Sequence, residues 1–423
     1  MFFLNCRNGL LTLLLLLNVA AVDAEKRLGV AHNDPVAVDQ SLTLAKVVDL
    51  TLDKFPDMTW LKSLEEEASA IKERGNSWTA GASQAGLRFQ EATSGTLHYL
   101  DATVQVPLWN IGQRDAEQEH GLKAESSAEL QAAATKLRVA GLVRGALWDM
   151  ELQKIRYEQA KADLDVFEQL LAKVERRYEL GDLPRADVLL AQTEFLQKLS
   201  ILTEAEAELM HARKRYTSIT QLTKMPVTYK EKLTPLKKVE LTHPAFVAMN
   251  IQIESKKAEL EAMKLVGSGQ SNVTIGVNSD RPSRSRGIPD QRSNDTESFN
   301  IGVNIPFGGE AHLKPQVAAL NVELNRLLAD REQLFRNLEL AHHEAEHNLE
   351  VNQAELEITN ETKAIAEEHL KMMQLSFSVG EISLMDLLKI QSRTQQAILS
   401  AKERGIMLER DIALYNQAVG VLP

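Results

Sequence analysis

The stretch LDATVQVPL at residues 100–108 returns as FNIGVNIPF at 299–307, and YELGDLPRADVLLAQ at 178–192 returns as FSVGEISLMDLLKIQ at 377–391. Both pairs are offset by 199 residues, as are Tyr216 and Tyr415, and the span from strand proline to turn glycine is 74 residues in each copy, Pro107 to Gly181 and Pro306 to Gly380. A constant offset over this length means that one supersecondary unit is used twice and that its long interior tolerates no insertion. The unit starts repeat less strictly. KFPDMTWLKSLEEEASAIKE (54–73) resembles THPAFVAMNIQIESKKAELEAMK (242–264), with Pro56 against Pro244 at an offset of 188. The 11-residue difference falls mainly in the polar DRPSRSRGIPDQRSNDTE (280–297), which lengthens one connection, and loops absorb such insertions.

Within each unit the hydrophobic period changes. Leu100, Ala102, Val104, Val106 and Leu108 alternate with polar residues and Pro107, and Phe299, Ile301, Val303, Ile305 and Phe307 alternate with asparagine, glycine and Pro306. That is the period of a two-faced strand. GLRFQE (86–91) and NVTIGVN (272–278) precede them with the same alternation. Each unit therefore predicts a strand hairpin, 86–108 and 272–307, near the length of about 9 to 11 residues per strand that crosses a bilayer. A membrane barrel and a soluble sandwich both fit this alternation.

After each hairpin, 114–178 and 313–377 run with almost no breakers to Gly181 and Gly380, and a return helix follows. A helix of some 65 residues is about 100 Å long, more than any globular core needs. Glycine suits a helix C-terminus, and Pro184 and Ser383 suit the next start. Pro315 is expected in the first turn of its helix, where a missing N–H costs little. The expected organisation is a first repeat at 25–222 with a long helical hairpin at 114–222, and a linker at 223–242. A second repeat follows at 243–418 with its hairpin at 313–418, then a tail at 419–423. The linker TKMPVTYKEKLTPLKKVE is expected to pack outside the helices near their middle.

The N-terminus, MFFLNCRNGLLTLLLLLNVAAVDAEKR, has Arg7, an apolar run from Leu10 to Leu17 and a small-residue site ending at Ala24. It reads as a signal peptide over 1–24, because a span needs about 20 apolar residues. The only cysteine, Cys6, falls within it, so the exported chain is expected to have no disulfide. With 25% charged residues, 5% aromatics and a net charge of -11, the composition is helix-rich and argues against a nucleic-acid partner. No other stretch is apolar enough for a membrane helix, so membrane insertion must use strands. Four strands leave two open edges, and in lipid an unpaired backbone edge costs several kcal/mol per group. The smallest membrane barrels have about 8 strands. A transmembrane sheet here therefore requires several chains.

At this point the sequence resembles the TolC-like outer-membrane efflux family. The likeness covers nearly the whole mature chain: SLTLAKVVDLTLDKFPDM, the passages VPLWNIGQRDAE and IPFGGEAHLKPQVAALN, and the G-x-x-x-x-x-D-[VL]-L-x-x-Q turns. The resemblance implies an α+β membrane protein. Four transmembrane β-strands per chain would form a shared 12-stranded barrel in a homotrimer, continued by a periplasmic α-helical coiled-coil barrel. It implies a passive exit duct in the outer membrane of a Gram-negative bacterium, with a periplasmic adaptor, an inner-membrane pump and outer-membrane lipid as partners, no cofactor and no catalysis. It further implies adaptor-contact tips at Gly181, Asp182, Leu183 and Gly380, Glu381, Ile382. Asp187 and Asp386, equivalent by the repeat, are candidate entrance acids or simple helix caps. The cargo stays open between small molecules and heavy-metal cations, with a type I secretion duct for polypeptides as an alternative. Arg281, Arg284, Arg286 and Arg292 fall at the extracellular end, as a solvated loop or a contact for lipid phosphates.

One motif points elsewhere. His343-Glu344-Ala345-Glu346-His347 reads H-E-x-x-H, which on a helix sets two imidazoles on one face to hold zinc, with a glutamate as general base. A secreted zinc metallohydrolase is the reading of another class. The repeat argues against it, since His343 and His347 correspond to Arg144 and Trp148. The string falls midway along the long helix, and no third ligand is marked out. A coiled-coil adaptor explains the helices but not the strand hairpins.

Overall fold

The computed structural model describes residues 36–91, 93, 97–282 and 296–423. The segment 1–24 with Cys6, and Arg284, Arg286 and Arg292, lie outside the described residues. The elements in chain order are β1 (Ala37–Asp39), α1 (Leu44–Asp53), α2 (Asp57–Asn76), β2 (Gln84–Glu91), β3 (Leu97–Leu108), α3 (Gln113–Glu179) and α4 (Arg185–Thr220). They continue as β4 (Lys224–Pro226), α5 (Pro244–Lys264), β5 (Ser271–Pro282), β6 (Thr296–Asn304), α6 (Glu310–Ser378) and α7 (Leu384–Ala418). The breaker-free segments are single helices, α3 of 67 residues and α6 of 69, each about 100 Å long.

The chain is built as three layers of four elements. At one end, β2, β3, β5 and β6 form an antiparallel sheet in the order β2-β3-β5-β6, with Leu100 opposite Phe89, Val104 opposite Ile275 and Val277 opposite Phe299. Below it the helices run in the order α2-α3-α5-α6, and beyond their midpoints in the order α4-α3-α7-α6. The two long helices thus pass through both helical layers. Gly75 and Gly121 allow α2 and α3 to meet backbone to backbone: a Cβ on Gly121 would lie 2.9 Å from Lys72 Cα.

The register puts Leu87, Phe89, Leu100, Val104, Ile275, Val277, Phe299 and Ile301 on one face of the sheet, and these side chains are exposed. The other face carries Thr103, Gln105, Thr274, Asn278, Asn300 and Asn304, with polar cross-strand contacts such as Ser298 Oγ to Asn278 Oδ1 at 2.6 Å. Among the described residues no helix or second sheet covers either face. A sandwich must bury its apolar face against a partner sheet. Among the described residues this sheet buries it against nothing.

The main core lies where the linker crosses the helices. Val47, Val139, Val143, Leu147, Trp148 and Tyr216 are buried there, and Tyr229 of the linker meets Trp148 edge-on at 4.9 Å between ring centroids. The two repeat-related tyrosines both tie the linker: Tyr216 Oη donates to Lys224 O at 2.7 Å and Tyr415 Oη to Leu236 O at 2.8 Å. Burial pushes the Tyr216 hydroxyl up to about 12, which keeps its proton in place to donate. Arg144, fully buried, pairs with Glu231 of the linker at 2.6 Å and donates to Val421 O of the tail at 3.0 Å. The linker therefore crosses the middle of α3 and the end of α7.

Three local expectations need correction. Pro315 lies inside α6, beyond its first turn, because the helix starts at Glu310 directly behind the Gly308-Gly309 corner; its ring removes one backbone donor there. The last strand ends at Asn304, short of 307, since Pro306 cannot donate to the ladder and Gly308 turns the chain at φ +71. The linker contains a strand, β4, that pairs in parallel with β1, a pairing the sequence does not announce in three residues.

Candidate functional site

The far ends of the helical hairpins carry the predicted tip residues, and the two tips have the same construction. Gly181 and Gly380 take φ of +81 and +82. Gly181 N donates to Tyr178 O and Asp182 N to Arg177 O; likewise Gly380 N donates to Phe377 O and Glu381 N to Ser376 O. These paired bonds use the last carbonyls of α3 and α6 and make the reversal that glycine favours. Asp182 and Glu381 are exposed at the tips. Leu183 and Ile382 instead turn inward onto an apolar cluster of Phe167, Val174, Phe377, Leu384 and Leu387 that holds both hairpins together.

The candidate acids differ in their surroundings. Asp386 stands in the first turn of α7 inside a cap: Ser383 Oγ accepts from Asp386 N at 3.2 Å and contacts its carboxylate at 2.7 Å. Asp187 stands in the first turn of α4, where Pro184 offers no side-chain cap, and it makes no ion pair among the described residues. Both positions place a carboxylate at the positive end of a helix.

Sequence reasoning missed Arg177. It donates from Nη1 to Phe377 O at 3.2 Å and its guanidinium lies 5.1 Å from the Phe377 ring centroid, joining the first tip to the second. Its partner is 200 residues away. Beside it, between α3 and the pair α6 and α7, opens a cavity of about 800 Å³. A basic residue in the last turn of a helix is ordinarily read as a dipole partner.

The H-E-x-x-H string lies mid-helix on α6. His343 and His347 are exposed and stack at 6.3 Å between centroids with 10° between planes. No group of three possible metal ligands exists among the described residues. His342, next to the motif, is the histidine in contact with the core: its Nε2 lies 3.3 Å from Tyr415 Oη. Arg281 lies at the end of β5 opposite His98. No described helix is long and apolar enough to cross a membrane.

The layered arrangement, one uncovered sheet above two tiers of helices, is the TolC-like fold of solved outer-membrane channels. CusC, described in terms of folding and transmembrane channel formation, superposes with a TM-score of 0.71 at 12% identity over 93% of this chain and 96% of its own. The outer membrane protein VceC of Vibrio cholerae gives 0.68 at 13% identity, over 90% and 97%. The open state of the MtrE outer membrane channel of Neisseria gonorrhoeae gives 0.65 at 15% identity, over 89% of each chain. No family profile matches the sequence, and no curated protein matches it.

Proposed function

We propose that this chain is a TolC-like exit duct of a tripartite efflux system. It assembles as a homotrimer, with a 12-stranded barrel in the outer membrane and a helical tunnel in the periplasm. It conducts what an inner-membrane pump and periplasmic adaptor deliver, small molecules or cations, and performs no catalysis. The observation that carries this reading is the uncovered sheet: an apolar outer face, a polar inner face and two open edges at β2 and β6. In lipid such a sheet is stable only when closed, and four strands close only with copies of themselves.

The helical layers support the same closure. Their open edges are α2 and α4 on one side and α6 on the other, matching β2 and β6 above. A ring that joins first-unit edge to second-unit edge satisfies all three layers at once, as a head-to-tail interface does. Val351, Ile358, Ile365 and Met372 recur every seven residues along α6 and are exposed, as are Leu189 and Leu196 on α4. Such a seam fits coiled-coil packing between neighbouring copies. The tips at Gly181, Asp182, Gly380 and Glu381 then face the adaptor, and Asp187 and Asp386 form rings of acid near the entrance that favour cations.

The test is extraction and conductance. Outer-membrane fractions are expected to yield, in detergent only, a trimer that dissociates on heating and that passes current in planar bilayers with cation preference. A monomer soluble without detergent and silent in bilayers would overturn the reading. A deletion strain tested against metals, dyes and antibiotics assigns the cargo.

A further inference from the structure

We propose that the cavity between α3, α6 and α7 near the hairpin tips binds small amphiphilic anions, molecules with an apolar body and one carboxylate or sulfonate. Its volume, about 800 Å³, is that of a site for a drug-sized ligand. Val166, Leu170, Phe377 and Leu387 supply the apolar wall, and Lys173, Arg176 and Arg177 supply the charge. The other lining groups are glutamine, serine and alanine, so among the described residues no acid lines the cavity, in a chain whose net charge is -11. The surroundings thus reverse the overall sign of the molecule.

The three cations are not equivalent. Arg176 is shared with Glu179 at 3.0 Å, and Arg177 is held by the Phe377 carbonyl and ring. Lys173 is exposed and makes no ion pair among the described residues, so its ammonium is available to a ligand. Lys173, Arg176 and Arg177 lie within about one turn of each other on α3, a span of about 6 Å. An anionic head group there would meet Lys173 and Arg177 together while its chain followed Val166 and Leu170 up the groove. Both walls belong to one chain, so the site is complete without a second copy. It does not rest on the duct reading, and bilayer conductance does not test it.

The experiment uses the full mature chain in a detergent-free carrier, titrated with 11-(dansylamino)undecanoic acid as fluorescent probe and displaced by dodecanoate. One saturable site per chain is expected, with dodecanoamide, the neutral analogue, displacing at least ten-fold more weakly than dodecanoate. Lys173→Glu is expected to weaken probe binding at least ten-fold, and Lys173→Gln with Arg177→Gln further. Because Arg177 also joins the tips, Lys173→Glu alone decides if the double variant loses helix content. Equal displacement by the neutral analogue, or undiminished binding by Lys173→Glu, would overturn the proposal. Displacement by an acidic helical peptide but not by dodecanoate would also overturn it, and would mark the groove as a protein-docking site.

Discussion

Arg144 and His343 occupy corresponding places in the two sequence copies, yet one is fully buried and the other is exposed. The linker crosses α3 at Arg144 and leaves His343 on α6 uncovered, so one repeat position holds a core ion pair and its counterpart a surface imidazole. Replacing Arg144 by Met leaves the largely covered Glu231 carboxylate without its cation, a loss on the order of 3 kcal/mol. A lowered thermal midpoint of helix signal, largely recovered when Glu231→Gln is added, is the expected result. His120 and His243 supply a pH dependence. Burial lowers the affinity of both for protons; around His120, Glu259 and Glu117 oppose this while Arg74 and Lys256 reinforce it. His120 Nδ1 and His243 Nε2 are buried without a partner. A histidine whose folded value is depressed contributes stability that is fully present above its unfolded value, about 6.5, and is lost as pH falls through that value toward the folded one. Protection of the amides in α2 and α5, taken relative to their intrinsic exchange at each pH, is therefore expected to fall between about pH 7.5 and 5.5, and His120→Gln to flatten the response around it.

At the scale of elements, the tips depend on two backbone angles. Gly181 and Gly380 have open space where a Cβ would go, so alanine there meets no clash and is penalised only by its left-handed backbone, about 1 to 2 kcal/mol. Gly380→Ala is expected to raise amide exchange over the 375–384 turn while the middle of α6 stays protected. Unchanged exchange at the turn would refute this account of the reversal. Ser383→Ala should act on the same turn through the N-cap, at about 1 kcal/mol. These elements were legible because their signals are local: a glycine that ends a helix and a serine or proline that starts one lie within a few residues of each other. The exact start of α6 was not, because Gly308 and Gly309 set it from the strand side and Pro315 is tolerated past the first turn.

At the scale of the molecule, the question is what satisfies the open edges. Lysine at Ile358 and Ile365, both exposed by more than 60% in the single chain, adds charge to the seam without touching its own core. The double variant is expected to keep its helix content and to run as a monomer, where the proposed assembly runs as a trimer, by native mass spectrometry in detergent. If it stays trimeric, α6 does not form the contact between copies. Ile301→Pro, on the open strand β6, should likewise weaken the proposed barrel, because proline takes a backbone donor out of the strand.

The repeat, the alternation over 100–108 and 299–307 and the long breaker-free runs determined the kinds and order of elements, since period and punctuation are properties of neighbouring residues. They also placed the tips. Only the tertiary structure decided which elements meet: that β3 pairs β5 and so joins the two units, that the linker pins Arg144, and that Arg177 reaches Phe377 across 200 residues. The tertiary structure also separated His342, held by Tyr415, from the exposed His343 and His347, although all three share one local pattern. Contacts of that range depend on how helices about 100 Å long are laid side by side. No window of sequence contains that arrangement, because the side chains that fix it come from distant parts of the chain.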